Sequence, residues 1–252
     1  MAIPAAPARL PANSIHLWLA PFPENISTAL LACVTPEEHR RAATFASKRR
    51  QTEWLTGRAL LRQCLAFYTG QDALSLVFGK TGAGKPTLDL DDAPAFNLSH
   101  GPRWIACAVS HAANIGIDVD CTARRNRLHD ITARYFHPLE QAVLQQSADE
   151  NAFRNGFFAR WCLKEAYIKA RGEMINSVRL HDIAFGVGDG TCSALFALPA
   201  GESWQFRHWQ FGGDHHLALA CELHTPDTPM RVDAVLWDPA SCERQDVSHW
   251  FG

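Results

Sequence analysis

Little in this 252-residue sequence is one-sided. Its 24 Lys and Arg stand against 26 Asp and Glu, a formal net charge of −2. So small a charge gives no long-range field toward nucleic acid or an anionic membrane surface, and neither is an expected partner. No apolar run approaches the ~20 residues that cross a bilayer. Residues 1–13 are rich in Ala and Pro and lack an uninterrupted apolar stretch after a basic start, so no signal peptide is expected. No other segment is low in complexity. The eight Cys, at positions 33, 64, 107, 121, 162, 192, 221 and 242, include no C-x-x-C pair. Several stand in apolar runs, such as Cys107 and Cys221. They read as reduced, buried thiols of a cytoplasmic protein, not as a zinc site or a disulfide framework.

What is present is a mixed pattern, 47% hydrophobic, with material for one large or two small domains. Residues 15–20 (IHLWLA) alternate as a first strand. Residues 36–67 read as a helix broken in two, with Thr35 as N-cap and Pro36 at the first helical position, ended by Gly70. Residues 74–78 read as a strand before a glycine-rich loop at 79–86. Strands are expected at 96–99, 104–110 and 115–120. His137-Pro138-Leu139-Glu140 opens another helix, and 152–171 is the longest helical segment, closed by Gly172. Further strands fall near 183–187, 193–198, 204–210 and 216–223.

Residues 57–70 align without a gap on residues 159–172. Arg58 meets Arg160, Leu61 meets Leu163, Arg62 meets Lys164 and Gly70 meets Gly172. The expected fold is therefore α+β, with two pseudo-symmetric α+β halves in one chain, residues 1–113 and 114–252, and a monomer is sufficient. Gln63 stands opposite Glu165 and Phe67 opposite Lys169, which assigns the reactive pair to the second half alone.

That pair belongs to the strongest chemical signal. In Asp118-Val119-Asp120 the two carboxylates project from one face of a strand, while Ile117 and Val119 project from the other. On the helix, Phe158, Cys162, Glu165 and Lys169 form one stripe, so two charged residues continue an apolar face. An exposed i,i+4 Glu–Lys pair is common and contributes only ~0.3–0.5 kcal/mol. On a packing face its desolvation must be offset, and a metal ion or a phosphate with its metal would do so. Three hard oxygen donors favour magnesium over zinc.

Other segments are weaker alone. Gly79-Lys80-Thr81-Gly82-Ala83-Gly84-Lys85 nearly matches a P-loop, but Pro86 stands where Ser or Thr is required. Proline brings neither hydroxyl nor N–H, and no helix follows, so an NTPase is rejected. The loop remains either a phosphate-binding element built on Lys80 and Lys85 or a plain solvent turn. His100, in Asn97-Leu98-Ser99-His100-Gly101, is either structural or a phosphate donor. His215 and His216 face opposite ways on a strand, which argues against a shared metal. Arg40, Arg41, Lys48, Arg49 and Arg50 form either a solvated helix face or a phosphate-binding rim.

In order, these pieces resemble the Sfp-type 4'-phosphopantetheinyl transferases from about residue 35 to 223. The carriers are Arg41-x-x-x-Phe45, Gly57-Arg58-Ala59-Leu60-Leu61-Arg62, Gly84-Lys85-Pro86, Phe96-Asn97-Leu98-Ser99-His100, Ile115-Gly116-Ile117-Asp118-Val119-Asp120 and Trp161-x-x-Lys164-Glu165-Ala166-x-x-Lys169. The resemblance implies transfer of the 4'-phosphopantetheine arm of coenzyme A, the co-substrate, to a serine of an acyl or peptidyl carrier protein, with release of 3',5'-ADP. It implies Mg2+ held by Asp118, Asp120 and Glu165 at the coenzyme A pyrophosphate, and Lys169 neutralising the reacting phosphate. Asp118, Glu165 and Lys169 are then the catalytic set, with Glu165, directly or through water, the implied base for the serine. Coenzyme A binding falls to Arg41, Lys80, Lys85, Pro86, Ser99 and His100, chiefly at its 3'-phosphate and nucleotide end. The family more often has Glu at the second acidic position, so the shorter Asp120 is expected to ligate through water if not directly. A magnesium phosphohydrolase built on the same acids, and a non-catalytic coenzyme A or carrier-binding protein, are the competing readings. The carrier-docking surface, expected to be apolar and basic, carries no placeable motif.

Overall fold

The same series of elements is built twice. The computed structural model describes residues 10–11, 14–82, 84–111, 114–123, 127–188, 191–222 and 230–251. The first series is β1 (Ser14–Pro21), α1 (Thr28–Ala32), α2 (Pro36–Ala43), α3 (Lys48–Thr69), the hairpin β2 (Phe78–Lys80) and β3 (Pro86–Leu88), then β4 (Ala95–His100) and β5 (Trp104–Ser110). The second is β6 (Asn114–Cys121), α4 (Leu128–Tyr135), α5 (Pro138–Gln145), α6 (Glu150–Ala170), the hairpin β7 (Phe185–Gly188) and β8 (Thr191–Ala194), then β9 (Trp204–Phe211) and β10 (His215–Glu222). Strand order repeats as well. β1-β5-β4 runs through the first sheet and β6-β10-β9 makes up the second, every one of these pairings antiparallel.

The chain divides into two compact units, Met1–His111 with Met230–Gly252, and Ala112–Pro229. Residues from Met230 onward therefore lie with the first unit, not with the second half that a division at 114–252 gives. β11 (Arg231–Trp237) pairs in parallel with β1, and β12 (Arg244–Asp246) extends the sheet beyond it. This addition satisfies the backbone of β1 on the side away from β5.

Local chemistry explains the helix ends. Thr35 caps α2 in a capping box with Glu38, and His137 caps α5 in one with Glu140, each followed by Pro at the first helical position. Residues 44–47 break the first helical stretch into α2 and α3, and Gly70, at φ 68°, terminates α3. Gly172 at φ 67° follows α6. At 22 residues α3 is one longer than α6, reversing the expected order. The strand expected at 74–78 is displaced to Phe78–Lys80. Asp72 Oδ2 accepts the N–H groups of Leu74 and Ser75, both at 3.0 Å, and holds a turn there.

Each unit has its own core. In the first, α3 buries Leu60, Leu61 and Leu65 with Trp18, Ile105 and Trp237. In the second, α6 buries Phe158, Cys162 and Ala166 with Phe185, Phe206 and Ala218. Six of the eight Cys are buried, all are free, and Cys192 and Cys242 are half-buried. Among the described residues no helix is long and apolar enough to cross a membrane. Ala83 of the glycine-rich loop, Leu223, Ala112, Ala113 and most of residues 1–13 lie outside the described residues.

Candidate active site

The second unit's site begins with a glycine. Gly116, Asp118 and Asp120 share one face of β6 by the two-residue period, opposite Ala220, Ala218 and His216 of β10. A Cβ on Gly116 would stand 2.0 Å from the Ala166 carbonyl oxygen and 2.4 Å from the Ala170 nitrogen. The backbone of α6 therefore lies directly on the strand. Small residues allow this on all sides: Cys162, Ala166 and Ala170 on the helix, Ala218 and Ala220 on the sheet, none more than 1% exposed. The buried seam of α6 thus runs Phe158, Cys162, Ala166, Ala170. Glu165 and Lys169, placed on that stripe from the sequence, flank it and are half-buried.

The close approach brings Lys169 beside two of the candidate acids, Asp118 and Glu165. Lys169 Nζ lies 2.6 Å from Asp118 Oδ1, donates to the Ile117 carbonyl at 3.3 Å and stands 3.9 Å from Glu165 Oε2. Burial alone would lower the pKa of Lys169, but Asp118 and Glu165 more than reverse this and hold it above the ordinary lysine value. The group is a fixed ammonium, not a base. Asp118 and Asp120 are 5% and 3% exposed, and Asp120 Oδ1 accepts the Cys121 N–H at 2.9 Å. The thiol of Cys162, fully buried, has its pKa pushed well up by burial and then by Asp118, Asp120 and Glu165. All three acids thus act on one thiol, which stays protonated and is no nucleophile. Three carboxylates and one ammonium, with the Cys162 thiol protonated, make a hard-oxygen donor set that fits magnesium.

A tighter group of ligand-type atoms exists among the described residues. Those of Cys121, Asp214 and His215 lie within 4.8 Å of one another. There, however, His215 Nδ1 and Asp214 Oδ1 already lie 2.8 Å apart, so the group is accounted for as a hydrogen-bonded His–Asp pair beside a thiol. His216 points elsewhere, bonding His208 at 2.9 Å, in keeping with the opposite facing of the two histidines.

Residues expected to bind coenzyme A fall into two groups in the first unit. Arg41, Lys80 and Pro86 line one cavity of about 740 Å³, with Arg40, Trp54 and Phe78 among its other walls. Among the described residues no carboxylate pairs with Arg41 or Lys80. Arg58 and Arg62, also at the cavity, are bound to Glu38 at 2.5 and 2.7 Å. Lys85, Ser99 and His100 are not in its lining. Lys85 closes the turn of the β2–β3 hairpin, its N–H donating to Thr81 Oγ1 at 3.1 Å, and burial lowers its ammonium pKa. The near-P-loop is thus a hairpin turn with no helix after it. Ser99 is buried on β4, and the His100 ring packs on Gly57 of α3, where a Cβ would stand 2.4 Å from Nε2. The basic run also divides: Arg40 and Arg41 face the cavity, while Arg49 Nη2 donates to the Pro102 carbonyl at 3.0 Å and Arg50 pairs with Glu53 at 2.6 Å.

Sequence reasoning gave no role to Gly116, Glu140 or Lys164. Lys164 is fully buried, and its Nζ lies 2.7 Å from Glu140 Oε2. A signal was present, since the capping boxes at 35–38 and 137–140 stand at the same offset as the aligned helices.

Comparison with known proteins agrees with this architecture. Residues 114–220 match the 4'-phosphopantetheinyl transferase superfamily, and residues 18–112 match the family described as 4'-phosphopantetheinyl transferase, N-terminal. The chain is 30% identical over 222 residues to 4'-phosphopantetheinyl transferase HetI of Nostoc sp., covering 79% of this chain and 93% of that protein. It is 30% identical over 227 residues to 4'-phosphopantetheinyl transferase Sfp of Bacillus subtilis, covering 86% and 94%. The human L-aminoadipate-semialdehyde dehydrogenase-phosphopantetheinyl transferase is 28% identical over 218 residues, covering 79% and 70%. The chain belongs to the 4'-phosphopantetheinyl transferase superfamily and is an enzyme of that class.

Proposed function

We propose that this enzyme transfers the 4'-phosphopantetheine arm of coenzyme A to a serine of an acyl or peptidyl carrier protein in a magnesium-dependent reaction. The observation that carries this reading is the convergence of Asp118, Asp120, Glu165 and Lys169 where α6 lies on β6. In the transfer, the serine oxygen bonds to the phosphorus that carries the pantetheine arm. The pyrophosphate P–O bond breaks, 3',5'-ADP leaves, and the serine proton passes to Glu165, directly or through water. Such a reaction requires positioning and charge neutralisation more than covalent help. Lys169, held as an ammonium, faces the phosphate charge that builds up. Asp118, Asp120 and Glu165 would hold Mg2+, which when bound would supply Lewis-acid neutralisation of the pyrophosphate. Arg41, Lys80 and Pro86, with Lys85, Ser99 and His100, are assigned to the 3'-phosphate and nucleotide end of coenzyme A.

The test is a panel of apo carrier proteins incubated with coenzyme A and Mg2+. The expected result is a carrier mass increase of one phosphopantetheine arm, lost on chelation of the metal. No increase with any carrier, together with metal-dependent hydrolysis of simple phosphate esters, would overturn the reading in favour of a phosphohydrolase.

A further inference from the structure

The repeat extends beyond the aligned helices into a buried ion pair. In the first unit Glu38, the capping-box residue of α2, binds Arg62 of α3 at 2.7 Å. Arg62 also donates to the carbonyls of Ala73 and Leu76, at 2.6 and 3.1 Å. In the second unit Glu140, the capping-box residue of α5, binds Lys164 of α6 at 2.7 Å. Lys164 also donates to the Leu180 carbonyl at 3.0 Å and to the Ile183 carbonyl. Acid, base and the i, i+3 pair of carbonyl acceptors recur in the same order. Both units are thus pinned by one device, but only in the second does the pinned residue precede an acid of the candidate site.

Resting on the reading of the acidic site above, we propose that Lys164, locked by Glu140, is a positioning residue that sets the rotation of α6 and so aims Glu165 at the metal. The three protons of its ammonium have three acceptors, one on α5 and two on the turn that begins at Leu180. Glu140 is equally committed: it also accepts the Phe185 N–H at 2.9 Å and the His137 N–H at 3.2 Å. α5, α6, the turn at Leu180–Asp182 and β7 are therefore tied at one buried point. Gly116 sets how closely α6 approaches the strand, and the Lys164 peg sets how the helix is turned. Because Glu165 is the next residue, about 100° further around the helix, a rotation that frees Lys164 swings Glu165 by the same angle. A neutral side chain of similar length fills the space but binds no carbonyl, whereas Arg, as at position 62, can occupy the same acceptors.

Lys164→Met, Lys164→Arg and Glu140→Gln test this in the full-length protein. Each is checked for folding by thermal melting. Mn2+ affinity is read by EPR, and kcat and KM for coenzyme A are read with a carrier that the parent enzyme modifies. Lys164→Met is expected to weaken Mn2+ binding at least ~10-fold and lower kcat at saturating metal, with KM for coenzyme A changed less than ~3-fold, the scale on which a well-placed group is lost. Lys164→Arg is expected to restore both metal affinity and kcat. If Lys164→Met does not fold, Glu140→Gln, which keeps the shape and the Phe185 N–H bond but turns an NH2 toward Lys164 and the His137 N–H, is expected to shift metal affinity in the same direction. A folded Lys164→Met with parent metal affinity and kcat would overturn the inference while leaving the proposed reaction in place. So would a Lys164→Arg variant no better than Lys164→Met. A parent enzyme that binds Mn2+ but transfers nothing would instead overturn the proposed reaction.

Discussion

Lys169 carries more of the proposed chemistry than any other single side chain, because it is the site's ammonium and is held charged by two acids. Lys169→Ala is expected to lower kcat by roughly 10²–10³, the usual loss when one charge-stabilising donor is removed, with little change in coenzyme A affinity. Steady-state kinetics check this, and a loss confined to KM would contradict it. A second residue-level consequence concerns acid stability. Burial, followed by neighbouring positive groups, lowers the pKa of His208 to about 4 and of His216 to about 3, from an ordinary 6.5. Their rings share one 2.9 Å hydrogen bond, which two protonated imidazoles could not make. Between pH 6.5 and those lowered values the unfolded chain binds protons that the folded chain does not, so stability falls as pH falls through that window. His216→Gln is expected to flatten this slope by up to about 1.4 kcal/mol per pH unit, one proton's worth, in denaturant titrations from pH 7 to 4. An unchanged slope would contradict it. At this scale the strand period placed Asp118 and Asp120 on one face, whereas the helix period put Glu165 and Lys169 on a seam that they only flank, because Cys162, Ala166 and Ala170 take the packing positions against the sheet. The roles of Gly116 and Lys164 were not legible in the sequence, since they depend on which backbone or carbonyl a fold brings alongside.

At the scale of elements, the decisive contact is α6 on β6. Its tolerance is set by Gly116, where any side chain meets helix backbone that cannot move aside. Overpacking a core costs about 1–3 kcal/mol when side chains can yield. Gly116→Ala, 2.0 Å from a carbonyl oxygen, is expected to exceed that range or to push α6 away from the strand. Thermal melting and metal affinity measured together check this: loss of both is expected, and parent values of both would contradict the packing described. The amphipathic helices, their caps and most strands could be read from pattern. The strand expected at 74–78 could not, because Asp72 diverts those N–H groups into a turn. α1, α4 and β11 were missed as well. The first two are short, and β11 is stabilised by a parallel partner over 200 residues away in sequence, which no local pattern reports.

At the scale of the molecule, two copies of one element series have diverged in chemistry while keeping their frame. The first copy retains the Glu38–Arg62 pin, the glycine after its long helix and the sheet order. It has Gln63 and Phe67 in place of Glu165 and Lys169, and β1 (SIHLWLAP) has no acid where β6 has two. The duplication was visible in a 14-residue alignment, and the matching ion pairs and strand orders extend it to the whole unit. The return of residues 231–246 to the first sheet was not visible, since nothing in a strand's own sequence names its partner. One acidic site in the second unit is the central claim. Its most direct measurement is the intact mass of an apo carrier after incubation with coenzyme A, Mg2+ and the parent enzyme, Glu165→Gln or Gln63→Ala at matched coenzyme A occupancy. The account predicts full conversion to holo carrier by the parent and by Gln63→Ala, and little by Glu165→Gln. Comparable conversion by Glu165→Gln, or its loss in a folded Gln63→Ala, would contradict it.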